Sequence, residues 1–315
     1  MKKLIFSILI IALVFGLGTF QSTLAEYPER PINLTVGFRA GGAVDTMGRL
    51  LAKSTGDILG QPMLVLNKAG AGGGRAVTAL KNAKPDGYNL CFVVGTAYYF
   101  NPHAAKTQYT LDDFTHITSC SKGQEAWVTS VKKPFKDWQG MIAYAREKGV
   151  ITAASFNPID KLYLKIIAKR DGINISAVPT KGGAGMVPAV LGGHVDFGFS
   201  GGIHYSHAKS GKMRVLAGMG SERLRDFPDA PTMKELGYNI VLENYFMISG
   251  PKGLPKNIAK KLNDAFVKAI KNQAFVDLVT KKMHFPIVVL GPDELPGKLK
   301  ELSKASKNLF DSVKK

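Results

Sequence analysis

Acidic residues are scarce in this chain. Its 315 residues hold 24 Asp and Glu against 42 Lys and Arg, a formal net charge of +18. Nucleic acid is the first partner to test against such a charge. However, no arginine-rich stripe with interleaved aromatics is present, and the lysines are spread along the chain, densest over residues 256–315. No nucleic-acid partner is expected, and a field that gathers small anions fits better. Cysteine is nearly absent: Cys91 and Cys120 both fall in apolar, strand-like segments, where a disulfide and two buried thiols are both open. There is no His-Glu-x-x-His pair, so His194, Asp196, His204 and His207 are read as surface or loop-stabilising residues; no metal and no cofactor are expected. Past the N-terminal region no apolar run reaches the length of a membrane span. Tandem repeats and low-complexity linkers are also missing.

What the N-terminus does contain is an export pattern. Lys2 and Lys3 precede an apolar stretch over 4–17, and Thr23-Leu24-Ala25 supplies small residues where a signal peptidase reads. Residues 1–25 are therefore expected to be a signal peptide cleaved near Ala25, with no following cysteine to carry a lipid, and the mature chain is expected to be periplasmic. About 290 residues then remain, room for two domains.

The remaining chain alternates strand and helix. Strands are expected over 32–38, 63–67 and 89–94, and helices over 44–59 and 75–83; this series implies a mostly parallel sheet covered on both faces. A second series follows the segment 114–131, with helices over 138–148, 161–171 and 186–191 and strands over 151–154, 176–179, 195–199 and 214–219. The stretch 238–249 reads as a return crossing, and two lysine-rich helices over 255–272 and 292–312 flank an expected strand over 286–290. The fold class is thus α/β. Two lobes are expected: 26–125 plus 240–315 as a discontinuous lobe 1, and 126–239 as lobe 2, with a ligand in the cleft between them.

The most informative stretch is 33–49, where a short apolar strand enters the turn Ala40-Gly41-Gly42 and a helix follows at once. Glycines permit close backbone approach, and a helix start offers unpaired N–H groups and the positive end of a dipole, so an anion site is expected there. The glycine cluster over 70–74 lacks the Lys-Ser/Thr of a phosphate loop, and Ala40-Gly41-Gly42 lacks dinucleotide spacing. Both absences favour carboxylate over phosphate. Asp45 has two readings, a helix-start acid or a group that reaches the ligand.

An ordered set of motifs then gives a family resemblance. They include Tyr27-Pro28-Glu29-Arg30-Pro31-Ile32, Phe38-Arg39-Ala40-Gly41-Gly42 with Asp45 and Arg49, Asn67-Lys68-Ala69-Gly70-Ala71-Gly72-Gly73, and Pro85-Asp86-Gly87-Tyr88. Val178-Pro179-Thr180-Lys181-Gly182-Gly183-Ala184, Gly192-Gly193-His194-Val195-Asp196 and Pro228-Asp229-Ala230-Pro231-Thr232 come later in the same order. The chain resembles the substrate-binding proteins of tripartite tricarboxylate transporters, the Bug family. The resemblance implies a two-lobed periplasmic-binding-protein fold (Venus flytrap, type II-like), monomeric and without enzymatic activity. It also implies capture of a small organic acid and its delivery to membrane subunits of the transporter. Carried over residue by residue, the ligand-binding set is Phe38, Arg39, Ala40, Gly41 and Gly42; Thr96, Ala97 and Tyr98; Ser155, Phe156 and Asn157; Thr180, Lys181, Gly182, Gly183 and Ala184; and Ser200, with Asp45 beside them. Arg39 departs from the small or apolar residue usual in the family, and it reads as either a bidentate clamp for a second carboxylate or a solvated charge at the cleft rim.

One motif points elsewhere. Gly198-Phe199-Ser200-Gly201-Gly202 matches a nucleophile elbow after a strand, which would make Ser200 the nucleophile of a secreted hydrolase, with Asp264 or Asp277 and His284 as partners. A cleft hydrogen-bond role for Ser200 is the competing reading. A receptor subunit of a signalling system would use the same pocket.

Overall fold

The computed structural model describes residues 26–314, and the expected signal peptide lies outside them. Two five-stranded sheets organise the chain. The first contains β1 (Ile32–Val36), β2 (Met63–Asn67), β3 (Asn89–Val94), β4 (Phe114–Lys122) and β10 (Tyr245–Pro251), in the order β2-β1-β3-β10-β4. The second contains β5 (Ala126–Ser130), β6 (Val150–Ser155), β7 (Asn174–Pro179), β8 (Phe197–Ser200) and β9 (Met213–Gly218), in the order β7-β6-β8-β5-β9. In each sheet four strands run in one direction and the fifth, β10 in the first and β5 in the second, is antiparallel to both its neighbours.

The apolar alternation explains the layers. Ile32, Leu34 and Val36 send one face of β1 into a core shared with Met47 and Leu51 of helix Ala43–Leu59 and with Leu262 and Phe266 of helix Lys256–Ile270. The opposite face of the sheet carries Cys91 and Val93 into a second core. That core continues through Tyr98, Tyr99 and the C-terminal helix Leu295–Lys314 to Trp127, Trp138 and Phe197 of the other lobe. A third cluster, with Val128, Ala154, Met186 and Val190, covers the far face of the second sheet.

The two thiols are settled by this layering. Cys91 on β3 and Cys120 on β4 belong to different cores on opposite sides of the sheet, and β10 lies between their strands. Strands two apart stand about 9–10 Å from one another, beyond disulfide reach. Both are free, buried thiols, and burial pushes Cys91 up to about 12 and Cys120 higher still. Reductant should therefore leave Tm unchanged, and neither thiol should react with an alkylating reagent in the native state; a reductant-sensitive Tm would reject this arrangement.

The expected strand over 286–290 is not a regular strand. Pro286 has no N–H to donate, and the segment joins the edge of β4 by a mixed set of bonds. Ser119 N donates to Leu290 O (3.1 Å), Leu290 N to Ser119 Oγ (2.9 Å), and Ser121 Oγ to Pro286 O (2.9 Å). Serine hydroxyls thus replace part of the ladder.

The chain crosses between the sheets at residues 123–125 and returns at 241–244. The crossings are tied together: Gly123 N donates to Asn244 O (2.9 Å), Met219 N to Glu125 O (3.0 Å), and Leu242 N to Met219 O (2.7 Å). Gly202 (φ +119°) packs flat against the ring of Phe285, where a Cβ would collide. Beside it Tyr205 stacks on His284 with centroids 3.5 Å apart. A second bridge between the sheets therefore lies away from the crossings.

Candidate functional site

The parallel strands of both sheets point their carboxyl ends at one cleft, the place where open α/β sheets bind ligands. Its cavity measures about 1070 Å³. From the first sheet come Phe38 after β1, Ala43 and Val44 in the first turn of helix Ala43–Leu59, Lys68 after β2, and Gly74 and Arg75 at the start of helix Gly74–Lys81. Thr96 follows β3. The second sheet contributes Phe156, Asn157, Pro158, Ile159, Phe199 and Gly201, and the crossings contribute Glu125, Leu242 and Asn244. The walls are largely aromatic or aliphatic, with a few polar groups at fixed places.

Two helix starts on this wall carry no side-chain cap. Helix Ala43–Leu59 is preceded by Gly42 and helix Gly74–Lys81 by Gly73, and neither cap residue has a side chain to satisfy the first-turn amides. The turn into the second is a left-handed run, Ala71 (φ 50°), Gly72 (φ 59°) and Gly73 (φ 92°), held by Asn101 Nδ2 donating to Ala71 O at 2.9 Å. Lys68 and Arg75, both exposed, stand beside these helix starts. Positive dipole ends and two cations on one wall make that wall attractive to an anion.

The residues expected from the sequence fall into two groups. Phe38, Thr96, Phe156 and Asn157 line the cavity. The others sit beside or behind its wall. Arg39, Ala40, Gly41 and Gly42 are exposed on the rim loop, and Arg39 is not part of the wall; Lys68 and Arg75 supply the cations there instead. The Gly41 N–H turns inward to Asp45 Oδ2 (2.9 Å) and is taken by the protein itself. Asp45 is buried and keeps the helix-start role: its oxygens also accept from Arg49 Nε (3.0 Å) and Asn67 Nδ2 (2.7 Å). Burial pushes its carboxyl up, but the bonds from Arg49, Asn67 and Gly41 outweigh that and hold it below the usual range.

Ala97 and Tyr98 are buried in the core under the wall. The Tyr98 ring packs edge-on against Phe114 and His116. The loop 155–157 spends its donors internally: Asp160 accepts from Ser155 Oγ (2.6 Å), Phe156 N (2.9 Å) and Asn157 N (3.2 Å). Asn157 Oδ1 in turn caps Ile159 N and Asp160 N, which completes a capping box. What this loop offers the cavity is Asn157 and the Phe156 ring, the latter packed 5.6 Å from Phe199. Thr180 N donates to Ser155 O (2.8 Å), and Lys181, Gly182, Gly183 and Ala184 open helix Gly182–Leu191 next to this loop, outside the cavity wall.

Ser200 is fully buried. Its hydroxyl lies 2.9 Å from Nδ1 of His204, one turn on, and accepts from the amides of Gly202 and His204. Burial lowers His204 to about 4, so the imidazole is neutral. No carboxylate bonds the His204 ring among the described residues, and His284 is engaged in its stack on Tyr205. The pair ties the β8 turn to the helix that follows; it lacks the third member and the access that a nucleophile requires. Among the described residues no cluster of His, Cys, Asp or Glu is arranged to hold a metal.

Sequence reasoning did not pick out Arg75, Asn101, Glu125 and Asn244. Lys68 stood inside a recognised motif without a role, whereas Glu125 and Asn244 lie in crossing segments that carry no local pattern. Asn244 Oδ1 accepts from Thr96 Oγ1 (3.2 Å) and lies 3.4 Å from Thr96 N. Glu125 lines the same cavity wall and is its one carboxylate among the described residues.

Two α/β lobes, joined by paired crossings around a cleft with helix starts and cations on one wall, define a solute-binding protein of the periplasmic-receptor type. The model of the tripartite tricarboxylate transporter family receptor matches residues 47–293, and the chain belongs to that family. The UPF0065 protein in the gbd 5' region of Cupriavidus necator is 35% identical over 254 residues, spanning 79% of this chain and 77% of its own length. Protein BugT of Bordetella pertussis is 31% identical over 283 residues, 86% of this chain and 85% of its own. The crystal structure of a TctC solute binding protein from Polaromonas shares the fold with a TM-score of 0.76 at 25% identity, covering 91% of this chain and 99% of that one.

Proposed function

We propose that the mature protein is a periplasmic, non-enzymatic, monomeric receptor that captures a small organic carboxylate between its lobes and delivers it to the membrane subunits of a tripartite tricarboxylate transporter. The observation that carries the reading is the wall where the uncapped starts of helices Ala43–Leu59 and Gly74–Lys81 meet Lys68 and Arg75. A carboxylate there takes backbone N–H bonds and a partly exposed cation, which hold it without a buried counter-charge and leave release possible. The apolar remainder of the cavity suits the carbon body of the acid. Segments 26–125 plus 240–315 and 126–239 would close as two bodies about the paired crossings, with the closed form gaining contacts to the ligand from both.

A thermal-shift panel of mono-, di-, tri- and aromatic carboxylates tests the reading, with native mass spectrometry for a co-purified acid. An acid at a hundredfold over its Kd should add about 2.7 kcal/mol to stability, hence several degrees. Arg75→Ala should weaken that acid about 10- to 100-fold, the loss of one charge-assisted bond. Arg39→Ala should leave its affinity unchanged. A panel in which only amines or sugars raise Tm would reject the carboxylate assignment.

A further inference from the structure

We infer that Glu125 contacts the ligand as a neutral acid, donating its O–H to the inner polar end of a bound carboxylate, so that ligand capture takes up a proton. The inference rests on the reading of the cleft as a carboxylate site and goes beyond it by naming the inner contact and its protonation.

The geometry comes first. Glu125 sits on the outgoing crossing, buried (5% exposed) yet part of the cavity wall. Its carboxyl folds back over Gly123, where any Cβ would collide with it. Asn244 of the returning crossing stands beside it on the same wall and is itself fixed by Thr96, just after β3. Glu125, Asn244 and Thr96 thus form a polar floor beneath aromatic walls. Among the described residues no cation pairs with Glu125: Lys122, the basic group nearest in sequence, makes its ion pair with Glu243 (3.5 Å), which also holds Lys298 (3.1 Å). A carboxylate site with a carboxylate on its floor repels its own ligand unless one of the two carries a proton.

The surrounding groups leave Glu125 to carry it. Burial raises its carboxyl to about 7, against the opposing pull of its own amide, Asn244 and Lys122. Glu243 is held down to about 2 by Ser221 and the two lysines despite its burial, so it stays ionised. Tyr99 from helix Thr96–Tyr99 and Tyr163 from helix Pro158–Asp171, which also face Glu125, are pushed well above their usual range and remain neutral. Tyr245 on β10 bonds Glu243 and is likewise raised. Lys298 on the C-terminal helix is raised and stays charged. None of these neighbours is a histidine. Between pH 6 and 8 the proton equilibrium on this floor therefore belongs to Glu125. A bound carboxylate favours its protonated form further, and the neutral acid then donates a hydrogen bond, a use of a buried carboxylic acid known from other sites.

The test is calorimetric titration of wild type and Glu125→Gln with succinate, adipate, citrate and benzoate, in two buffers of different ionisation enthalpy. Gln keeps the shape and carries a permanent N–H donor. Wild type should take up about half a proton per ligand at pH 7, and its Kd should weaken about tenfold from pH 6 to pH 8. E125Q should take up none through this site and bind about tenfold more tightly than wild type at pH 8. The acid's own titration is common to both proteins and cancels. If an acid binds with no proton uptake, or if wild type and E125Q share one pH slope, the inference is overturned while the carboxylate cleft stands. If none of the four acids binds either protein at any pH, the carboxylate reading falls and this inference with it.

Discussion

Replacing Asp196 by alanine should destabilise the protein by about 3–5 kcal/mol, the cost of breaking a buried ion pair and leaving its partner behind. For a chain of this length the fall in Tm is on the order of 10 °C. Asp196 immediately precedes β8, at a site that is 1% exposed. Its carboxylate binds Lys133 (2.7 Å) and Lys148 (3.0 Å) and accepts from Thr152 N (2.8 Å) and Thr152 Oγ1 (3.1 Å). It therefore fastens β8 to β6 and both to the segment after β5. Lys133, mostly covered, would lose its counter-charge, and the Thr152 amide would lose its acceptor. Burial raises the Asp196 carboxyl, but Lys133, Thr152 and Lys148 together hold it below its ordinary value. A lowered pKa means that the stabilisation is present above the unfolded-state value, near pH 4, and is lost as pH falls through the folded one. Calorimetric scans should accordingly show the gap between wild type and D196A narrowing below pH 4. A gap that is constant down to pH 2 would show that the loss is one of packing rather than charge.

The second large effect is expected at Asp45, where alanine should cost about 2–3 kcal/mol as several charge-assisted bonds disappear together. The loss is smaller than at Asp196 because Arg49, the ion-pair partner, is half exposed and regains water. Its distinguishing consequence is on the cleft. Without Asp45 the Gly41 N–H loses its anchor and Asn67 loses one of its ties, although Asn67 still donates to Phe38 O (3.0 Å). The rim loop 38–42 should loosen, and ligand affinity should fall along with Tm. D45N, which keeps an acceptor oxygen for Gly41, should recover part of both. Chemical denaturation and the carboxylate titration on the same two variants check this; a D45A protein with unchanged affinity would separate the loop from binding.

Much of this architecture could be read in the sequence because it rests on local periodicity. The strand–turn–helix over 33–49, the glycine run over 70–74 and the later βα series each carry their own apolar spacing and turn residues. The family motifs add an order that spacing alone would not give. The site was legible at the level of loops and not of donors. A glycine turn before a helix announces free amides, but Asp45, four residues further on, takes one of them, and only the packed structure shows that its side chain is buried and turned back. Likewise Ser155-Phe156-Asn157 looks like a row of ligand donors until Asp160 is seen to take the Ser155 hydroxyl and the Phe156 and Asn157 amides. Asn157 and Asp160 have the spacing of a capping box, a signal that was present in the sequence. Arg39 drew attention by departing from family habit, whereas Arg75 reaches the wall through the left-handed turn before its helix. Glu125 and Asn244 meet only because two segments over a hundred residues apart cross side by side, and no window of sequence contains that juxtaposition.

The strand order also governs the sequence of events when the chain first folds. Sheet β7-β6-β8-β5-β9 is built from one continuous stretch, 126–218, and all its partners are present once that stretch has emerged. Its companion is different: β10 lies between β3 and β4, so β1 to β3 and β4 remain two unjoined pieces until residue 245 and beyond arrive. Closing that gap requires contacts across more than 120 residues of chain, as between Phe246 and Ser121, the long-range pairing that slows folding. Until then the edges of β3 and β4 stand open to pairing with another chain. Completion of the first sheet, and with it the half of the molecule that carries the anion-attracting wall, thus waits on β10.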